Sequence, residues 1–164
     1  MGFFKKSKSA VAENVVLAVS NGSVKTLASL KDGVFSEKMM GDGIVVAPAK
    51  GAQTVEYFAP ISGELVTVFP TGHAFGIRAK NGLEVLLHIG LDTVNLEGKG
   101  FTPIVKQGQK VKAGDKLVSV DVEFVRKNAP SADAIVIVTS GQAVTPVVAK
   151  GDIEAKAELL TVEI

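Results

Sequence analysis

The 164-residue chain contains no cysteine, no tryptophan and only two histidines. The absence of cysteine excludes a disulfide framework, a thiolate zinc site and a cysteine nucleophile, and it favours a reducing compartment. Lysine and arginine (18) nearly balance aspartate and glutamate (17), so the charge gives no overall attraction to nucleic acid. No apolar run approaches the roughly 20 residues of a membrane span, and the start lacks an uninterrupted signal-peptide core. We therefore expect a cytoplasmic protein that does not bind nucleic acid.

The first residues differ in composition from the rest of the chain. Within residues 1–13, Phe3 and Phe4 stand beside three lysines. We predict a flexible basic and aromatic tail here, which is either a solvated terminus or a transient contact with an anionic membrane surface. Residues 14–164 then form a single domain, which is long enough to bury a core without a disulfide or a metal.

Apolar residues alternate with polar ones far more often than they recur with the period of a helix. Residues 15–19 show this alternation, and the apolar run 134–139 is typical of a strand buried on both faces. Only residues 121–128 have a helical pattern, and residues 36–40 add one turn at most. The sequence therefore predicts an all-β protein, an antiparallel β-sandwich or partly open barrel with one or two very short helices.

Two pairs of segments resemble each other within the chain. Residues 18–27 resemble residues 59–68 without a gap, and residues 111–121 resemble residues 153–163. About 41 residues separate the copies in both pairs, so one β motif is expected to occur twice. We expect the two copies to close on each other, which would hide sheet edges that otherwise promote aggregation.

The two histidines lie on either side of the Asn81-Gly82 turn. His88 lies on the strand face opposite an apolar stripe, and a hairpin across the turn would make His73 its cross-strand neighbour. Such a pair is compatible with two exposed polar side chains, with a zinc site, or with phosphoryl transfer through a neutral imidazole nucleophile. In the last case the hydroxyl of Thr71 would fix the tautomer of the second ring.

Residues 82–94, with His88 at the centre, resemble the phosphorylation-site signature of the glucose-type IIA components of the bacterial sugar phosphotransferase system, and they match it at all thirteen positions. Other segments that resemble blocks of this family are 32–43, 58–63, 71–75 and 111–115. Residues 18–22 depart from it, because Val19 stands where the family usually has proline, and the last forty residues fit loosely.

The resemblance implies a phosphoryl carrier, a component of the phosphotransferase system without a sugar site of its own. It implies that His88 accepts a phosphoryl group from the phosphocarrier protein HPr. It also implies that His73, with Thr71 bonded to its ring, assists transfer to the cysteine of a IIB or IIBC sugar permease. Regulated permeases or kinases are implied as further partners, and the carrier is expected to be cytoplasmic and transiently associated with the membrane.

The resemblance also implies a surface on which partners dock. Asp32 and Asp92 match acidic residues that flank the site. Six positions match an apolar rim, with a place in the core as the alternative for each: Phe35, Met39, Met40, Ile44, Phe69 and Val94. No cofactor is required, and zinc is expected at His73 and His88 only where a partner supplies further ligands.

Two other classes of protein share parts of the pattern. His88 and Asp92 have the His-x-x-x-Asp spacing of lysostaphin-type zinc endopeptidases, but the His-x-His pair of that class is missing. Residues 105–121 resemble the strand-turn pattern of lipoyl and biotinyl domains, with Lys116 near the position of the modified lysine. We interpret the second likeness as shared β architecture without shared function.

Overall fold

The computed structural model describes residues 11–164. The strands are β1 (Val15–Leu17), β2 (Gly22–Lys25), β3 (Asp42–Ala47), β4 (Thr54–Phe58), β5 (Gly63–Val68), β6 (Ala74–Arg78), β7 (Glu84–Leu91), β8 (Phe101–Pro103), β9 (Lys110–Val111), β10 (Lys116–Asp121), β11 (Ser131–Val138), β12 (Val144–Pro146), β13 (Gly151–Ile153) and β14 (Glu158–Val162). One α-helix, α1 (Val122–Asn128), and two 3₁₀ turns, Leu27–Leu30 and Thr93–Leu96, complete this part of the chain. Most of the predicted tail, residues 1–10, lies outside the described residues. No helix in residues 11–164 has the length and apolarity to cross a membrane.

The strands form one large and two small sheets, and all their pairings are antiparallel. The eight-stranded sheet has the order β13-β2-β3-β11-β7-β6-β5-β9, and the three-stranded sheets have the orders β1-β14-β12 and β4-β10-β8. The prediction of an all-β antiparallel fold is therefore confirmed. Residues 36–40 form turns rather than a helix, and neither 3₁₀ turn was anticipated from the sequence.

The predicted repeat is present as two interlocked copies of one motif. β2 pairs with β13 as β5 pairs with β9, so that Gly22 faces Ile153 and Gly63 faces Val111. Likewise β1 pairs with β14 as β4 pairs with β10. A Cβ atom on Gly22 or on Gly63 would lie 2.2 Å from a carbonyl oxygen of the next strand, so both copies need glycine at the same point.

The main core lies between the large sheet and the two small ones. It joins buried side chains from all three sheets, among them Val16, Tyr57, Phe75, Leu87 and Leu160. Each large apolar side chain that is removed from water stabilises the fold by about 1.5–3 kcal/mol. α1 adds Val122 and Val125 to this core, and the carboxylate of Asp121 caps it by accepting from the backbone N–H of Phe124.

A second, smaller cluster lies on the outer face of the large sheet. Its buried members are Leu27, Phe35, Val45, Ile135 and Ile137. They come from β3, β11 and the segment 27–41, which crosses this face of the sheet. The same face of β7 carries His88, because successive side chains along a strand alternate between its two faces. The outer cluster therefore borders the histidine.

Candidate functional site

The hairpin of β6 and β7 brings the two histidines together. Ala74 pairs with His88, and the backbone N–H of Ile89 donates to the carbonyl oxygen of His73 at 2.8 Å. The centroids of the two imidazole rings are 5.1 Å apart and the rings are nearly perpendicular, at 82°. The prediction that the two histidines are cross-strand neighbours is confirmed.

The His88 ring is oriented by a backbone group of its own strand. Its Nδ1 lies 2.9 Å from the carbonyl oxygen of Gly90. Because a carbonyl oxygen only accepts, Nδ1 carries the proton, and Nε2 of the neutral ring keeps a free lone pair. Gly90 has a φ of +80°, a conformation that glycine adopts easily, within an irregular stretch of the β7–β11 pairing.

Burial lowers the pKa of His88, and three groups oppose this effect: the Gly90 carbonyl and the charges of Asp32 and Asp92. The side chain is half-buried, so part of it is exposed to solvent. A neutral imidazole with an accessible lone pair is a competent nucleophile.

His73 is 2% exposed and lies deeper than His88. Its Nδ1 is 2.7 Å from Oγ1 of Thr71, as the sequence predicts. Its ring packs edge-on against Phe69 and Phe101, with centroid distances of 5.1 and 6.5 Å. Burial lowers the pKa of His73 to about 4, with a further contribution from His88, so the ring is neutral near pH 7. When the Thr71 hydroxyl donates to Nδ1, the ring proton lies on Nε2, which is then a donor.

Five apolar side chains in the segments next to the pair are 42–72% exposed, and we call them the collar: Val34, Met39, Met40, Phe69 and Val94. Four of them are predicted rim positions. Val34 was missed, although its place in the loop next to Phe35 is a signal that could have indicated it. A depression of about 370 Å³ lies beside His88 along β5, β6 and β7, and Met40, Phe69 and Leu86 are among the other side chains that line it.

The rim prediction is wrong for Ile44. This side chain is 2% exposed and belongs to the main core, because it lies on the inner face of β3 opposite Val136. Phe35 is also mostly buried, at 7% exposure, and its ring centroid lies 5.1 Å from that of His88. Phe35 therefore packs against the ring of His88 and adds little exposed surface to the collar.

The two acidic residues near His88 have different surroundings. The carboxylate of Asp32 accepts hydrogen bonds from the backbone N–H groups of Phe35 and Ser36, at 3.0 and 2.8 Å. Partial burial raises the pKa of Asp32, but these hydrogen bonds outweigh that effect and lower it. Asp32 thus holds the loop that carries part of the collar. Asp92 is exposed in the left-handed conformation at the start of the 3₁₀ turn Thr93–Leu96.

His73 and His88 together offer two nitrogen ligands for a metal. Within residues 11–164, no group of three or more histidine, aspartate or glutamate side chains is placed to hold one. Zinc at this pair would need donors from another molecule, so the zinc site stays a prediction.

Comparison with known proteins decides between the classes of protein that the sequence left open. Residues 14–144 match the family model of the phosphoenolpyruvate-dependent sugar phosphotransferase system, EIIA 1. The chain belongs to this family. It is a phosphoryl carrier of the glucose type, as the resemblance implied, and neither a zinc endopeptidase nor a lipoyl domain.

Similar proteins support the assignment along most of the chain. The glucose-specific EIIA component of Mycoplasma capricolum is 49% identical over 140 residues, which is 85% of this chain and 84% of that protein. The glucose-specific EIICBA component of Streptococcus pneumoniae is 46% identical over 91% of this chain, which covers 20% of that longer protein. The solved structure of the glucose permease IIA from Mycoplasma capricolum has a TM-score of 0.82 at 46% identity, covering 89% of this chain and 93% of that one.

The low pKa of His73 predicts an acid-dependent loss of stability. Its folded pKa of about 4 lies below the ordinary value of 6.5, so between these pH values the unfolded chain binds a proton that the folded chain does not. We expect the full free energy of unfolding above pH 6.5 and a loss of about 3 kcal/mol as the pH falls towards 4. Urea unfolding across this range measures the loss, which should be smaller in His73→Gln. An NMR titration that gives His73 an ordinary pKa would contradict the prediction.

Proposed function

We propose that His88 accepts a phosphoryl group on Nε2 from phosphorylated HPr and passes it to the cysteine of a IIB domain. The observation that carries this proposal is the hydrogen bond from Nδ1 of His88 to the Gly90 carbonyl, because it leaves Nε2 as the free nucleophile. In the first step a bond forms between Nε2 and phosphorus while the bond from phosphorus to the donor nitrogen breaks. In the second step a bond forms between the cysteine sulfur and phosphorus while the bond between Nε2 and phosphorus breaks, and its electron pair returns to Nε2 of His88.

His73 is proposed to assist the onward step as a hydrogen-bond donor. Phosphoryl transfer has a loose, anionic transition state, so catalysis depends mostly on positioning and on donors to the phosphoryl oxygens. Support comes from the ring separation of 5.1 Å and from the Thr71 hydroxyl, which is placed to leave the His73 proton on Nε2. A neutral donor costs less to bury than a charged one, which agrees with the low pKa of His73.

The collar suits a protein that exchanges partners. Exposed apolar side chains around the histidine allow a partner to dock and to exclude water while the phosphoryl group moves. Met39 and Met40 add a flexible surface that adapts to partners of different shape. The charges of the Asp32 and Asp92 carboxylates oppose the lowering of the His88 pKa by burial, so both carboxylates interact electrostatically with its ring. They would repel a dianionic phosphoryl group and so favour its transfer onward.

Partners and location are proposed from the family. HPr is the proposed donor, and a IIB or IIBC sugar permease is the proposed acceptor. Regulated permeases or kinases are candidates for the same collar, including in complexes where zinc binds at the histidine pair. We also propose a cytoplasmic location with transient membrane contact through the predicted tail, residues 1–13.

Replacing His88 should abolish phosphoryl acceptance. When the chain is incubated with phosphoenolpyruvate, the general phosphotransferase enzyme and HPr, we expect one acid-labile phosphate on the native protein and none on His88→Gln. The physical reason is that glutamine offers no lone pair of comparable nucleophilicity at this point. Intact-mass measurement before and after mild acid gives the result, and His73→Gln serves as the control that keeps the acceptor. A phosphate that persists on His88→Gln would refute the assignment.

Replacing His73 should separate acceptance from delivery. His73→Gln should still take phosphate from HPr but should transfer it to a IIB domain about 100-fold more slowly, because a donor to the phosphoryl oxygens is misplaced. Thr71→Val, which keeps the ring and removes the hydroxyl, should show an intermediate loss. Single-turnover transfer from the phosphorylated variants measures both rates. If His73→Gln delivers phosphate at the native rate, His73 has no part in the transfer.

A further inference from the structure

Thr93 lies against the backbone segment of β7 that carries His88. It is fully buried, at 0% exposure. Its Oγ1 donates to the carbonyl oxygen of Ile89 at 2.6 Å, within the same short segment that carries His88. A buried hydroxyl with a short hydrogen bond holds its acceptor in place.

The methyl group of Thr93 limits the space around Gly90, the residue after Ile89. A Cβ atom on Gly90 would lie 2.4 Å from Cγ2 of Thr93 and 2.7 Å from the carbonyl oxygen of Ser131. These two neighbours therefore enclose the α-carbon of Gly90. The hydroxyl and the methyl of one threonine act on adjacent points of the backbone.

Three backbone groups of Ile89 and Gly90 form hydrogen bonds with residues of the site. The N–H of Ile89 donates to the carbonyl of His73. The carbonyl of Ile89 accepts from Thr93, and the carbonyl of Gly90 accepts from Nδ1 of His88. The Ile89 carbonyl belongs to the peptide unit just before that of the Gly90 carbonyl. Because Thr93 holds the first carbonyl, it limits the direction in which the second one points.

We propose that Thr93 is a positioning residue for His88. Its hydroxyl and methyl hold the Ile89–Gly90 backbone so that the Gly90 carbonyl points at Nδ1, which keeps the proton there and the lone pair on Nε2. The consequence for transfer rate rests on the proposed function. The consequence for the ring tautomer does not, because the tautomer is a property of the unphosphorylated protein.

A purely structural role makes a different prediction. If Thr93 only stabilises the 3₁₀ turn Thr93–Leu96, its replacement lowers the free energy of unfolding and leaves the His88 tautomer unchanged. If it positions His88, its replacement allows the proton to move between the two nitrogens, and the fraction of free Nε2 falls. The tautomer therefore separates the two roles.

The test compares Thr93→Ala, which removes hydroxyl and methyl, with Thr93→Ser, which keeps the hydroxyl. The tautomer of His88 is measured by ¹⁵N NMR of the imidazole ring near pH 8. The rate of acceptance is measured from phosphorylated HPr, with kcat and KM determined separately. We expect Thr93→Ala to show a mixed tautomer and about a 10-fold lower kcat with little change in KM. Thr93→Ser should stay within about twofold of the native rate and keep the proton on Nδ1.

Ser20→Ala is a control for the loss of a buried hydroxyl away from the site, because Ser20 lies just before β2, which stands three places from β7 in the strand order. It should change neither the tautomer nor the rate. A native tautomer in Thr93→Ala would overturn the proposal. Should that variant be unstable, the same measurements are made in cold buffer with sucrose, which favours the folded state, and the same outcomes decide. Absence of phosphate on native His88 would defeat the proposed function while the tautomer comparison still tests Thr93.

Discussion

The hydrogen bond from Nδ1 of His88 to the Gly90 carbonyl determines which nitrogen of the ring is free to react. It depends on a glycine in a left-handed conformation, on the Thr93 side chain that encloses this glycine, and on the pairing of β7 with β6 and β11. The antiparallel sheet therefore supplies more than a scaffold. It fixes the backbone on which the tautomer of the reactive ring depends.

Burial gives the pair a second property, which is neutrality. Desolvation disfavours the charged form of an imidazole, so we expect both rings to be uncharged near pH 7. His73 is less exposed than His88, and this difference matches their proposed roles. His88 accepts the phosphoryl group and must contact the partners directly, whereas His73 donates a hydrogen bond from within the site. The collar adds exposed apolar surface next to the two rings.

Much of the fold could be predicted from the sequence, because antiparallel strands with one face towards the core have a period of two. The faces of β7, the hairpin that joins the histidines and the two copies of the motif followed from that period and from glycine positions. The resemblance placed Ile44 in the rim, and the pattern of β3 could not correct this, because β3 is apolar on both faces and does not indicate which face is the core. The segment 36–40 lacks a helix because Lys38 has a left-handed φ of +59°, which interrupts a right-handed helix and leaves successive turns. The parts of Gly90 and Thr93 depend on the positive φ of Gly90 and on short-range hydrogen bonds to backbone carbonyls, which the alternation of apolar and polar residues does not indicate.

The most direct test of this account is the position of phosphorus on the phosphorylated protein. Correlation of ³¹P with the ring protons of histidine by NMR distinguishes a phosphoryl group on Nε2 from one on Nδ1. Because Nδ1 of His88 donates to the Gly90 carbonyl, we expect a single phosphohistidine with phosphorus on Nε2 of that residue. Phosphorus on Nδ1 of His88, or on His73, would contradict it.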